Sequence, residues 1–441
     1  MEKKEALWLE VLNNLSSFIF KDEEEVMKVI QLSYDHLSGH LKPCLLYLAS
    51  YPKEEDIAIS WLKDLWSDEG LVEPTDLKSV EEVTEVYVDE LISSSLVIVR
   101  GGRHLSCQIH DLVHDFCSIK ARKEKLFDLK SSIFLSLSSS SDMMLRRRTI
   151  IYDEDIHSDD SSFFSPEKRN PCAKHLLSLK IESGYLYNWH LRHLRLLKRL
   201  DLWGKILPDT FLKEIGMLIH LRCLRIELKA KALPPSFSNL CNLETLVVDN
   251  SGSNLVLSPT IWGLAKLQYV SSSDCSVFDS DIDKPTKLEN MTTLECLNLS
   301  CSVDSEDIFK RFPNLRTLGF VMDFSAAEQI YFPRLDVLNK LERVYAIFEC
   351  FGHTHVHQFD SHLPSSLKEV KLDGLNLTSD ALSGIGRSLP NLQKLELFDA
   401  RIQGGKEWKM EQVTFHNLKS LQLVYMFFAK WQGGKIYTIL Y

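Results

Sequence analysis

The sequence predicts an α/β chain in which an N-terminal helical winged-helix module is followed by a leucine-rich-repeat solenoid, with a parallel sheet on its concave face. Three observations carry that expectation. An L-x-x-L-x-L pattern recurs through residues 173–441, the first 125 residues place apolar positions at helical spacing and close on a hairpin signal, and a serine-rich stretch at 126–172 separates the two.

A chain of 441 residues is too long for one ordinary core, so two or three units are expected. With 44% hydrophobic and 25% charged residues the composition is that of a soluble protein. Nowhere does an apolar run reach the roughly 18 residues a membrane helix needs, so no membrane span is expected. The opening Met1-Glu2-Lys3-Lys4-Glu5 does not read as a secretory signal, and a cytoplasmic location follows as an expectation. The ten cysteines are scattered, without a CxxC pair, and are expected to be reduced thiols. Residues 1–120 hold 11 Lys and Arg against 23 Asp and Glu, a balance of -12, which leaves +2 for the remainder of a chain whose total is -10. That acidic end argues against nucleic-acid partners.

In the module, Val26, Val29, Ile30 and Tyr34 predict a helix over Glu23 to Leu37, and Leu41 to Leu48 continues after Gly39. Ile57, Trp61, Leu62, Leu65 and Trp66 predict a third helix, stopped by Gly70 and Pro74, and Val80 to Ile92 a fourth. Leu96 to Arg100, Gly101-Gly102 and Arg103 to Ile109 read as strand, tight turn and strand. Helices closed by a two-stranded wing make a winged helix. Such modules often bind DNA, but the helix expected over Ile57 to Gly70 offers Lys63 against Asp64, Asp68 and Glu69, where a major groove would need arginine or lysine.

Ser131 to Asp142 holds seven serines in twelve residues, which reads as a linker, with Arg146-Arg147-Arg148 as a solvated turn. The repeats then run Leu176/Leu179/Ile181, Leu197/Leu200/Leu202, Leu221/Leu224/Ile226, Leu243/Leu246/Val248, Leu267/Val270/Ser272 and Leu294/Leu297/Leu299. They continue as Leu315/Leu318/Phe320, Leu341/Val344/Ala346, Leu367/Val370/Leu372, Leu392/Leu395/Leu397 and Leu418/Leu421/Leu423, eleven units whose first positions lie 21 to 27 residues apart. The last two apolar positions of each unit, two apart, share one face of a short strand. A single unit cannot bury them, so stacked neighbours must share one interior.

The densest chemical cluster is Cys107-Gln108-Ile109-His110-Asp111-Leu112-Val113-His114-Asp115. His110 and His114, four apart, could hold zinc, but Asp111 is a methylene short of a zincin's glutamate base and no third ligand follows. Alternatively Asp111 caps a helix, with His114 and Asp115 on its wet face. His353, His355, His357 and His362 read as a solvated loop rather than a metal site.

The order of features is similar to a known family. Gln31-Leu32-Ser33-Tyr34-Asp35-His36-Leu37, Leu41-Lys42-Pro43-Cys44-Leu45-Leu46-Tyr47-Leu48-Ala49-Ser50-Tyr51-Pro52, Ile57 to Gly70 and Tyr87 to Leu96 resemble the winged-helix subdomain of plant NB-ARC leucine-rich-repeat disease-resistance proteins, close to the coiled-coil class of nightshades. The resemblance implies that Ile109, His110 and Asp111 stand where that family has a Met-His-Asp motif sensing the bound nucleotide, with isoleucine in place of methionine. The family's phosphate loop G-x-x-x-x-G-K-[ST] has no counterpart here. The expectation is therefore a receptor fragment that binds no cofactor alone, although the full-length family uses ADP and ATP, and that is not an enzyme.

The expected partners are a pathogen effector, a guarded host protein, and the chain's own or a related NB-ARC domain. Candidate contact positions on the strands are Arg199, Asp201, Trp203, Arg225, Tyr269, Tyr345, Lys371 and Phe398, since aromatic and arginine side chains dominate interface energies. Two other classes compete. A substrate adaptor of a ubiquitin ligase would co-purify with ligase subunits, and a zinc hydrolase built on His110 and His114 would carry stoichiometric metal.

Overall fold

The computed structural model describes residues 23–51, 53–72, 75, 78, 80–100, 106–124, 127–131, 147–151, 176–181, 191, 194–207, 209–251, 254–257, 259–276, 286–299, 306–323, 333–349, 362–374, 376–403, 407–409, 415, 417–425 and 430–432. Contacts divide it into two compact units. The first takes residues 1–163, 167–184 and 197–199, and the second takes 164–166, 185–196 and 200–441.

In the first unit, helix α1 (Glu23–His36) buries Ile30 and Tyr34, a four-residue step on one helical stripe, and Leu37 just past its end is buried as well. Helix α2 (Leu41–Leu48) is nearly all apolar and is buried on almost every side. Ile57, expected in a helix, instead forms strand β1 (Ile57–Ala58), and helix α3 starts only at Ile59 (Ile59–Asp68). The reason is pairing, because Ile57 lies opposite Cys107 in the wing. Gly70 ends α3 at φ +68, where Leu71 N–H reaches the carbonyl of Trp66 at 2.7 Å and Gly70 N–H that of Ser67 at 2.9 Å. That double closure needs a left-handed residue, and glycine adopts it without a Cβ penalty.

Helix α4 (Val80–Ser93) leads into the wing, strands β2 (Val97–Arg100) and β3 (Ser106–Ile109), which pair antiparallel in the order β1, β3, β2. The turn at Gly101-Gly102 lies outside the described residues. From β3 the chain passes through His110 into helix α5 (Asp111–Lys123). Trp66, Leu45, Leu62, Cys117 and Ala121 fill the shared core, and the Tyr34 ring meets Phe116 edge-on at 5.4 Å.

Residues 132–142 of the serine run expected as a linker lie outside the described residues, and two strands flank that run. Phe127–Ser131 and Arg147–Ile151 are parallel strands, and the second pairs in register with the first repeat strand, Ser178–Ile181. Arg147 and Arg148 therefore sit in a strand, not a turn.

The second unit follows the leucine spacing. Strands Arg199–Ile206, Cys223–Leu228, Thr245–Asn250, Tyr269–Ser276, Thr293–Leu299, Thr317–Asp323, Arg343–Glu349, Glu369–Asp373, Lys394–Phe398 and Ser420–Val424 neighbour one another in chain order. From Cys223 on, each described pairing is parallel. The second apolar positions form one row across the sheet, Leu224, Leu246, Val270, Leu294, Leu318, Val344, Val370, Leu395 and Leu421, all with little or no solvent exposure.

That row corrects one frame. The sixth unit begins at the buried Met291, with Leu294 in second place, and a register shift between Leu294 and Leu297 sets Leu297 opposite Phe320. The extra residue of a bulge, not a shorter unit, produced the apparent Leu294/Leu297/Leu299 spacing.

Adjacent coils are also tied on the return side. The amides of Asn242, Asn290, Asn314, Asn391 and Asn417 donate to the carbonyls of Ile219, Ala265, Glu289, Ser365 and Pro390, one coil back, at 2.7–2.9 Å. Lys266 and Lys340 donate in turn to Asn242 Oδ1 and Asn314 Oδ1 at 2.7 and 2.6 Å.

Candidate functional site

Two surfaces gather the residues that the sequence singled out. The first is the head of α5. Ile109, the last residue of β3, is buried and pairs with Val97. His110 follows as the N-cap of α5 in extended conformation, with Leu112 N–H donating to its Nδ1 at 3.3 Å. The cap is thus His110, and Asp111 is the first helical residue, where a carboxylate faces the positive end of the helix dipole. His110 is exposed and Asp111 half-buried, so this pair faces solvent while Ile109 anchors it in the core.

His114 does not lie on a wet face. It is 4% exposed, and its Nε2–H donates to the Tyr51 carbonyl at 2.8 Å. The sequence carried the signal, since His114, Cys117 and Ala121 share a stripe at three- and four-residue steps and all are buried. With Nε2 spent on a carbonyl, His114 cannot offer that nitrogen to a metal beside His110. Among the described residues no group of three or more His, Cys, Asp and Glu could hold a metal ion. His353, His355 and His357 lie outside the described residues.

Beside His114, the Asp115 carboxylate accepts from the Lys53 ammonium at 2.7 and 2.8 Å. Both side chains are more than a third exposed, so the pair is screened and fixes geometry more than stability. Lys53 and Tyr51 were not singled out from the sequence, because their partners lie about sixty residues away.

The second surface is the open face of the repeat sheet, where the candidate contact residues fall into three groups and two exceptions. Arg225 stacks its guanidinium on the Trp203 ring at 4.1 Å and reaches Asp201 Oδ2 at 3.8 Å. Trp203 is exposed, but Asp201 is 2% and Arg199 5% exposed, so neither is the free strand position expected of it. Tyr269 donates its hydroxyl to Glu295 at 2.8 Å. Farther along, Tyr345 lies opposite both Gly319 and Lys371, and the Lys371 ammonium sits 4.7 Å from the centre of the Phe398 ring. Burial, then the Glu369 carboxylate, push the Tyr345 phenol above its ordinary range, so it acts there as a neutral hydroxyl.

Buried leucine rows behind an open polar and aromatic strand face define the class. Residues 175–423, more than half of the chain, match a family model described as "Leucine-rich repeat region", and the chain belongs to the leucine-rich-repeat proteins. Residues 51–117 match a second model, "Disease resistance protein Winged helix domain". The chain joins a disease-resistance winged helix to leucine-rich repeats.

Its similarity to particular proteins points the same way. It is 29% identical to "Late blight resistance protein R1-A" of Solanum demissum, covering 98% of this chain and 34% of that protein. It is 28% identical to "Putative late blight resistance protein homolog R1B-16" of the same organism, covering 98% and 33%. The chain thus spans about a third of the length of the curated relatives it matches. Among solved structures, a leucine-rich-repeat protein of Leptospira interrogans aligns at TM-score 0.40 and 18% identity, over 71% of this chain and 93% of that one.

Proposed function

We propose that the chain is the recognition and regulatory part of a plant disease-resistance receptor, acting by binding and not by catalysis. The open strand face contacts a pathogen effector or a guarded host protein, with Trp203 stacked on Arg225 and Phe398 beside Lys371 as anchors. Aromatic rings held by a cation suit this role, because aromatic side chains supply large contact area at low entropy cost and a cation already stacked on a ring is partly ordered before binding. The head of α5 carries the state of the receptor: His110 and Asp111 sense ADP or ATP held by an NB-ARC domain in the cytoplasm.

The observation that carries this reading is the placement of His110 and Asp111 at the solvent-facing N-terminus of α5, directly off the wing and anchored by buried Ile109. Helix N-termini favour anions, and an imidazole there can donate to a phosphate. No phosphate loop occurs in this chain, so phosphate binding would need amides and a lysine from another domain.

A pull-down of the NB-ARC domain of a longer relative, loaded with ADP, by this chain tests the reading. Binding is expected, with His110→Ala and Asp111→Ala each weakening it by about tenfold, or ~1.4 kcal/mol. Tight ADP binding by the chain alone, or a complex indifferent to both substitutions, would contradict it.

A further inference from the structure

We propose that Tyr51 couples the strand Ser178–Ile181 to the His110–Asp111 turn, serving as a positioning residue that holds the head of α5 through His114 and is itself held by Lys180 of that strand. All of these residues belong to the first compact unit. Three contacts converge on Tyr51 to Lys53. The Lys180 ammonium stands 4.3 Å from the centre of the Tyr51 ring, over its negative face. The Tyr51 carbonyl accepts from His114 Nε2 at 2.8 Å, and Lys53 grips Asp115.

Burial makes the arrangement selective. Tyr51 and His114 are each 4% exposed, and the Tyr47 ring backs Tyr51 edge-on at 5.9 Å, so the packed ring has little room to move apart from the backbone that carries its carbonyl. His114 lies one helical turn after His110, and its backbone N–H donates to the His110 carbonyl at 2.8 Å. A shift of the Ser178–Ile181 strand would therefore reach the His110 carbonyl through one ring, one carbonyl and one imidazole. That the turn at His110 reports nucleotide state rests on the function proposed above, but the mechanical coupling does not.

Hydrogen exchange on the full chain, without nucleotide, tests the coupling. Lys180→Met keeps the length of the side chain and removes the charge, and is expected to speed exchange of the His114 to Phe116 amides by about fivefold. The Thr245–Asn250 amides should be unchanged. Lys180→Arg restores a cation over the ring and should restore protection, and Tyr51→Phe, which keeps ring and carbonyl, should match the parent chain. Unaltered exchange at His114 to Phe116 in Lys180→Met would overturn the proposal, as would equal loss in Lys180→Arg. Because no nucleotide or partner is added, failure here leaves the pull-down result standing, and the reverse also holds.

Discussion

Desolvation decides how individual groups behave in this chain. Burial pushes the Cys117 thiol up to about 12, and burial followed by the Asp56 carboxylate does the same to Cys107. Cys241, by contrast, is exposed. At pH 8 iodoacetamide should label Cys241 in the native protein while Cys107 and Cys117 react only in denaturant, as peptide mapping would show. The thiols also set an alkaline limit. Their folded pKa lies above the ordinary value of 9.0, so the stability they contribute is full below that pH and is lost as pH rises towards about 12. Labelling of Cys107 in the native chain at a rate like that of Cys241 would refute the burial. Gly374 is the sharpest single position: at φ +76, a Cβ there would stand 2.3 Å from the Phe348 carbonyl oxygen. Gly374→Ala should cost roughly 2–3 kcal/mol, read as a lower urea midpoint, and an unchanged midpoint would mean that the strand end is not left-handed.

Elements here are held by two kinds of repetition, of which only one was legible beforehand. Leucines spaced three and then two apart announce their strands, because apolar period and strand pleat coincide. The asparagine ladder did not announce itself. Each amide bonds a carbonyl some 23 to 27 residues earlier, and Asn314 or Asn391 beside a proline reads simply as a turn. Asn314→Ala removes a bond across the coil boundary and the acceptor for Lys340, so a loss of about 1 kcal/mol is expected, with an unchanged urea m-value. No loss would show that water satisfies the Glu289 carbonyl equally well. The same limit explains the misread elements. A bulge between Leu294 and Leu297 mimics a full L-x-x-L step, and Phe127–Ser131 is too short and too polar to outweigh the serines after it. At the site, Ile109, His110 and Asp111 were readable as a cluster because they are contiguous. That His114 turns inward was legible in its stripe with Cys117 and Ala121, whereas the choice of His110 as the cap of α5 and the Tyr51 carbonyl as the partner of His114 are not revealed by the local pattern.

For the molecule as a whole, register links fold to function. The residues that precede the buried apolar row on successive strands, Thr245, Tyr269, Thr293, Thr317, Arg343 and Glu369, form a row of their own because the apolar residues beside them do, and within it Thr317 is itself buried and accepts from Arg343 Nε. Partner recognition by Trp203, Tyr345 or Phe398 has meaning only if that row holds, since a slip of one residue would turn every such side chain into the core. The measurement that bears most directly on this is the distance between spin labels at Thr245→Cys and Glu369→Cys. Five parallel steps of roughly 4.8 Å predict a single narrow distance of about 24 Å between backbones. A broad distribution, or a mean beyond roughly 35 Å, would contradict a shared in-register sheet and the recognition surface built on it.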